Sequence, residues 1–207
     1  MARVKICGIN HPDAIDAAVE GGADWIGFVF FPPSPRFITP AMARVLSARW
    51  PDGPPRVGLF VTPDEDAIAA VLAEVHLDIL QIYGVEAALP ALRRRFGRPI
   101  WRPAGVTVAA DLPESLGGAD ALLVEAKPPQ DATRPGGNAI RFDWALTKGW
   151  HAPGPWVLAG GLDPDNVAEA VRSSGAGAVD VSSGVERAKG VKDPALIRAF
   201  IQNARRG

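Results

Sequence analysis

The chain has 207 residues, among them 22 glycines, 20 prolines and one cysteine, with 22% of side chains charged. That length suits one domain with a continuous core, and the composition excludes fibrous, disulfide-framework and low-complexity classes. Twenty-two basic against 23 acidic side chains leave a formal net charge of -1, so no global field draws the chain to nucleic acid or an anionic membrane.

Short β-branched or aromatic runs recur along the chain, each followed by a stretch with helical periodicity. The first run is Arg3 to Cys7, and the helix after it starts at Pro12 and stops at Gly21-Gly22. Trp25 to Phe30 is the second strand. The stiff turn Pro32-Pro33-Ser34-Pro35 separates it from a helix beginning near Pro40 and ending before Pro51. Arg56 to Phe60 is the third strand, and Pro63-Asp64-Glu65-Asp66 opens the next helix with acidic residues at its positive end. Leu77 to Ile82 is the fourth, followed by a helix through Ala88, Leu89, Leu92 and Arg95. The fifth, Arg98 to Arg102, is weakened by Pro99, and a short helix is predicted from Asp111 to Leu116. Ala121 to Glu125 is the sixth strand. A long polar connection from Lys127 to Asn138 leads to Phe142-Asp143-Trp144-Ala145-Leu146. Trp156 to Ala159, with a helix starting at Asp163, and Ala178 to Val181, with a helix over Pro194 to Ile201, complete the series.

Eight strand-helix units of about 26 residues each fit a compact α/β single-domain fold, the (β/α)8 or TIM barrel, over residues 1–207. Near-continuous apolar strands agree with that architecture, and the absence of a G-x-G-x-x-G turn removes support for a dinucleotide site. A lone cysteine cannot close an intrachain disulfide. With no long apolar segment at Met1 to Gly8 or elsewhere, a cytoplasmic protein without a membrane partner is expected. Nucleic acid is not an expected partner either, since Arg93-Arg94-Arg95 reads as the complement of a helix C-terminus.

In such a barrel functional side chains belong at the carboxyl ends of the strands. Cys7 sits at one such end and reads either as a small buried hydrophobe or as an acid-base group. Lys5, two residues earlier, shares its face and needs a partner or ligand inside the barrel. Glu125 ends the sixth strand, where partial desolvation would suit a general acid. Gln81, Tyr83 and Asp180 stand at other strand ends. Gly160-Gly161 and Ser182-Ser183-Gly184, at the last two, offer backbone and hydroxyl donors to a phosphate, helped by the helix opening near Asp163. Arg36, on a rigid loop, suits bidentate recognition of a ligand carboxylate, and Phe30 and Phe31 either present a surface to an aromatic ring or pack into the wall. The 127–138 connection reads as a lid or as plain surface loop. His11, His76 and His151 have no metal-ligand spacing, so no metal is expected.

Several of these segments occur together in one known family. Lys5-Ile6-Cys7-Gly8, Gly27-Phe28-Val29-Phe30, Ser34-Pro35-Arg36, Val57-Gly58-Leu59-Phe60, Leu80-Gln81-Ile82, Gly136-Gly137 with Phe142-Asp143-Trp144, Leu158-Ala159-Gly160-Gly161-Leu162, Asp180 to Glu186 and Gly190-Val191-Lys192-Asp193 stand in order along the chain. The set resembles the phosphoribosylanthranilate isomerase family of tryptophan biosynthesis. The resemblance implies a (β/α)8 barrel that performs an Amadori rearrangement of a phosphorylated aromatic amine, N-(5-phospho-β-D-ribosyl)anthranilate, without metal or organic cofactor. It implies that Cys7 is the general base and Glu125 the general acid. Arg36 would then meet the anthranilate carboxylate, Asp180 the ribose hydroxyls, and the two glycine-serine segments the phosphate. The chain departs from the family in having Glu125 where aspartate is usual and Tyr83 where histidine is usual. Other readings are a sugar-phosphate isomerase or aldolase using Lys5 as a Schiff-base amine, and a barrel that binds a phosphorylated metabolite without turning it over. The sequence does not choose between a monomer and a homodimer.

Overall fold

The computed structural model describes residues 1–127 and 141–207. Eight parallel strands close into a barrel in sequence order: β1 (Arg3–Cys7), β2 (Trp25–Val29), β3 (Arg56–Val61), β4 (Ile79–Tyr83), β5 (Ile100–Val106), β6 (Ala121–Ala126), β7 (Trp156–Leu158) and β8 (Ala178–Val181). Closure comes from β1 pairing with β8, Lys5 opposite Asp180. Two shorter strands, β9 (Glu186–Ala188) and β10 (Val191–Lys192), form an antiparallel pair beyond β8.

Six α-helices cover the described part of the barrel: α1 (Pro12–Glu20), α2 (Pro40–Ala48), α3 (Glu65–Glu74), α4 (Leu89–Phe96), α5 (Val167–Ser174) and α6 (Pro194–Ala204). Their starts follow the local chemistry. Thr39, Asp64 and Asp193 accept backbone N–H bonds at the first turns of α2, α3 and α6, and proline opens α1, α2 and α6 where its missing N–H costs nothing.

Two expectations are corrected around β5. The strand begins after Pro99 instead of running through it, and carries Pro103 inside. Its pairing with β4 stops at Gln81 and Trp101, so Pro103 faces no ladder on that side and its missing donor is tolerated. The helix expected from Asp111 to Leu116 does not form. A single 3-10 turn, Ala109–Asp111, takes its place, since Pro113 and the positive-φ pair Gly117-Gly118 interrupt any longer helix. The segment from Phe142 to Leu146 contributes a second 3-10 turn, Trp144–Thr147.

Alternation along the strands sorts side chains into two layers. Val4, Ile6, Leu80, Ile82, Leu122, Val124 and Val179 face the helices, in a core that includes Ile15, Leu46, Ile68, Leu92, Phe200 and Ile201. Trp25, Val57, Ile79, Trp101, Ala121, Leu123, Val157 and Ala178 fill the barrel itself. Trp25 and Trp101 meet edge to face with centroids 5.2 Å apart. The inward positions further along β1, β4, β6 and β8 carry the polar groups Cys7, Gln81, Tyr83, Glu125 and Asp180, so the apolar plug becomes the floor of a partly polar mouth.

Candidate active site

At the carboxyl ends of the strands a cavity is lined by Cys7, Gln81, Tyr83, Glu125 and Asp180, with Val29, Leu59 and Val61 as apolar wall and Phe31, Arg36, Gly160, Gly161, Ser182 and Ser183 around the rim. The pleat places Lys5 and Cys7 on the same inward face, as their spacing predicts. Lys5 is fully buried and does not line the cavity; its Nζ lies 2.7 Å from Asp180 Oδ1. Burial alone would favour the neutral amine, but Asp180 and Cys7 outweigh it and hold the ammonium above its usual range. A permanently charged lysine is a poor Schiff-base nucleophile, which removes the support for the aldolase reading.

Cys7 is a buried free thiol facing the ammonium groups of Lys5 and Lys192. Lys5 and Lys192 each favour the thiolate. Burial outweighs both lysines, Asp180 adds to it, and the thiol is pushed up. The neighbouring strand makes room for this pair at Gly27, which sits opposite Cys7. A Cβ there would stand 3.0 Å from Cys7 Sγ and 3.3 Å from Lys5 Cε.

Glu125 is buried, and the Tyr83 hydroxyl donates to its Oε1 at 3.0 Å. Burial pushes the carboxyl up to about 8 against the opposing pull of Tyr83 and Lys5, with Asp180 reinforcing the rise. It is therefore protonated at neutral pH. Tyr83 in turn receives a hydrogen bond from Gln81 Nε2 at 3.3 Å, while Gln81 Oε1 is buried without a partner among the described residues. A buried acceptor left open in a cavity wall is a natural site for a ligand donor.

After β7, between the strands of Glu125 and Cys7 on the β8 side of the rim, Gly160 and Gly161 adopt positive φ values of 85° and 67°, a conformation open to glycine at no steric cost. Ser182 and Ser183 follow β8, with a 3-10 turn at Ser183–Val185. Gly184 does not line the cavity. Its lack of a side chain serves packing, because a Cβ would lie 1.8 Å from the Leu162 carbonyl oxygen. The helix expected to open near Asp163 begins at Val167. Asp163 and Asn166 instead close a turn on each other, Asp163 Oδ1 accepting from Asn166 N and Asn166 Oδ1 from Asp163 N.

Arg36 reaches the rim already engaged. Its Nε and Nη2 donate to Glu186 at 2.6 and 2.9 Å, so the edge that a bidentate clamp on a ligand would use is taken and Nη1 remains without a partner among the described residues. Glu186 also accepts from Lys192 Nζ at 2.9 Å and from Gly190 N at 3.0 Å. Although burial opposes it, these partners, Arg36 foremost, hold the Glu186 carboxyl down at about 2. Lys192 Nζ continues to the Ser182 carbonyl at 2.7 Å, and the Ser182 hydroxyl donates to the Cys7 carbonyl at 3.2 Å. One hydrogen-bonded run thus joins the Arg36 loop, the β9–β10 pair, the β8 loop and the end of β1. Sequence reasoning assigned nothing to Glu186 or Lys192. The motifs Ser182 to Glu186 and Gly190 to Asp193 hold both residues, and the presence of two charges in otherwise small, tight turns was the available signal.

Phe31 lines the cavity, whereas Phe30 stacks on Phe60 outside it with centroids 5.4 Å apart. The connection read as a lid and the Gly136-Gly137 motif fall almost wholly within 128–140, outside the described residues. Among the described residues no group of three or more His, Cys, Asp or Glu is placed to hold a metal ion, and no helix is long and apolar enough to cross a membrane.

Residues 4–203 match the family described as N-(5'phosphoribosyl)anthranilate (PRA) isomerase. A relative in Acidiphilium cryptum named N-(5'-phosphoribosyl)anthranilate isomerase is 56% identical over 204 residues, covering 99% of this chain and 98% of its own. Among solved structures, a phosphoribosyl anthranilate isomerase from Thermotoga maritima superposes with a TM-score of 0.86 at 37% identity, covering 99% of each chain. A further structure of a phosphoribosyl anthranilate isomerase, in complex with reduced 1-(o-carboxyphenylamino)-1-deoxyribulose 5-phosphate, gives a TM-score of 0.83 at 36% identity, again over 99% of each chain.

Proposed function

The chain belongs to the N-(5'-phosphoribosyl)anthranilate isomerase family, and from that premise we propose that it converts phosphoribosylanthranilate to the 1-deoxyribulose 5-phosphate adduct by proton transfers between Glu125 and Cys7. The reading rests on one observation above all. A carboxyl that burial keeps protonated at neutral pH and a thiol share one small mouth, with the glycines and serines of the β7 and β8 loops along the rim between them.

Glu125 gives its proton to the ribose ring oxygen as the C1–O bond opens, leaving a positively charged Schiff base between C1 and the anthranilate nitrogen. That charge acidifies the hydrogen on C2, which is removed by the fraction of Cys7 that has released its own proton to water before the substrate enters. The enolamine so formed takes a proton at C1 and releases the one on the C2 hydroxyl, giving the ketone. Buried ammonium groups of Lys5 and Lys192 beside the thiol stabilise its anionic form once formed. Donors at Gly160, Gly161, Ser182 and Ser183 suit the phosphate, and Arg36 offers its free nitrogen to the anthranilate carboxylate. Gly184 supports that grip by letting the β8 loop pack on the β7 loop. Asp180 is held by Lys5 with its remaining acceptor capacity toward the cavity it lines, where ribose hydroxyls would stand. Remote phosphate and carboxylate contacts fix the reacting carbons between acid and base. A lone working thiol suits the reducing cytoplasm.

The test is the decay of substrate fluorescence with freshly generated phosphoribosylanthranilate. Cys7→Ser and Glu125→Gln are expected to lose turnover by about 100- to 10,000-fold while a reduced product analogue still binds. Either variant turning over at the wild-type rate overturns the role given to that residue.

A further inference from the structure

We propose that Tyr83 is a positioning residue for the acid: its hydroxyl, itself held by Gln81, keeps the Glu125 carboxyl in the mouth of the barrel and aimed at the substrate. This rests on the reading of Glu125 as the proton donor. The need for such a restraint follows from the sheet. Pairing between β4 and β5 ends at Gln81 and Trp101, so beyond that point the two strands have no ladder between them. The gap is a groove whose lining includes Thr62, Tyr83, Gly84, Pro103, Gly105 and Glu125.

Glu125 therefore borders two spaces, the substrate mouth on one side and this groove on the other. Gly105, directly opposite Glu125 across the β5–β6 ladder, presents no side chain to confine the carboxyl. A glutamate with a free last torsion would divide its time between the two spaces. The hydroxyl of Tyr83 at 3.0 Å is the one side-chain hydrogen bond that Glu125 makes among the described residues. Gln81 and Tyr83 lie two apart on β4 and so point inward together, and the 3.3 Å bond from Gln81 Nε2 leaves the Tyr83 proton free to go to Glu125. The acid thus meets an aromatic hydroxyl 42 positions away in the chain.

The groups facing Glu125 are Tyr83 and Gln81 from β4, Asp180 from β8, and Lys5 and Cys7 from β1. Of these Tyr83 favours the ionised carboxylate by hydrogen bonding, so removing its hydroxyl moves the carboxyl's titration upward.

The experiment is kcat and KM against pH for the wild type, Tyr83→Phe, Glu125→Asp, the double variant and Glu125→Gln, with thermal unfolding of each to confirm the fold. Tyr83→Phe is expected to lower kcat about 10- to 100-fold with KM within about twofold, and to move the inflection near pH 8 to higher pH. Glu125→Asp draws the carboxyl back by one methylene and out of the hydroxyl's reach. The double variant should then be barely worse than Glu125→Asp alone, a strong coupling between the two sites. Unchanged kcat and inflection in Tyr83→Phe, or losses that multiply in the double variant, would overturn the proposal while Glu125→Gln remains inactive. Turnover retained in Glu125→Gln would instead overturn the acid assignment on which it stands.

Discussion

Glu125 shows how a single side chain can be destabilising in one respect and useful in another. Unfolded, its carboxyl titrates near 4.5; in the barrel burial raises it to about 8. Between those values the native state holds a proton that the unfolded chain has released, so stability falls as pH rises through that window. The slope is about 1.4 kcal/mol per pH unit, and below the unfolded value the penalty disappears. Urea unfolding at pH 5, 6 and 7 should show wild-type stability dropping relative to Glu125→Gln by that increment at each step. Parallel curves would mean that the carboxyl is not held neutral by the fold. Glu186 has the opposite sign: held down at about 2, it contributes stability above its unfolded value that is lost as pH falls toward 2. Glu125 is the more deeply buried of the two, and the partners widen the difference, a neutral hydroxyl for one and two cations for the other.

Among the elements, the short β9–β10 pair does more than its length suggests. It carries Glu186 onto Arg36 and Lys192 onto Glu186 and Ser182, and a Cβ on Gly190 at its turn would lie 2.4 Å from the Pro35 carbonyl oxygen. Glu186→Gln leaves the buried Arg36 and Lys192 charges without their counter-ion, and should cost about 3 kcal/mol or more in chemical denaturation at pH 7, with KM raised more than kcat is lowered. A neutral effect on both would show that the ion network is dispensable. The pair was illegible in the sequence, because five strand residues of mixed polarity show no period of two. By contrast Cys7, Glu125 and Asp180 were placed correctly near strand ends, since each falls at the carboxyl end of a short, largely apolar run of the kind a parallel barrel strand buries on both faces. The shape of β5 and the missing helix after it were misread for a related reason. Pro99, Pro103 and Pro113 break the pattern that periodicity reads, and only the pairing partner shows which side of a proline needs no donor. The contact of Tyr83 with Glu125 joins residues 42 positions apart, and no local spacing encodes it; two unusual residues in one site were the trace it left.

At the scale of the whole molecule, the barrel interior is divided between an apolar plug and a polar mouth, and the division separates stability from chemistry. Trp101 and Trp25 fill the plug, four residues along β5 and β6 from the level of Glu125. Trp101→Ala should therefore lower unfolding free energy by about 3–5 kcal/mol while kcat at 25 °C stays within a few-fold of wild type. A collapse of kcat in folded protein would mean that the plug also shapes the mouth. The closing pair of the barrel carries a further consequence. Lys5 meets its counter-ion 175 residues later in the chain, on the last strand of the cylinder. Until that last strand is in place the ammonium has no carboxylate to offset its burial, so a chain cut short before Asp180 would leave Lys5 in water. The thiol proposed as the base, two residues away, depends on the same closure, and the mouth it lines is complete only when both ends of the chain have met.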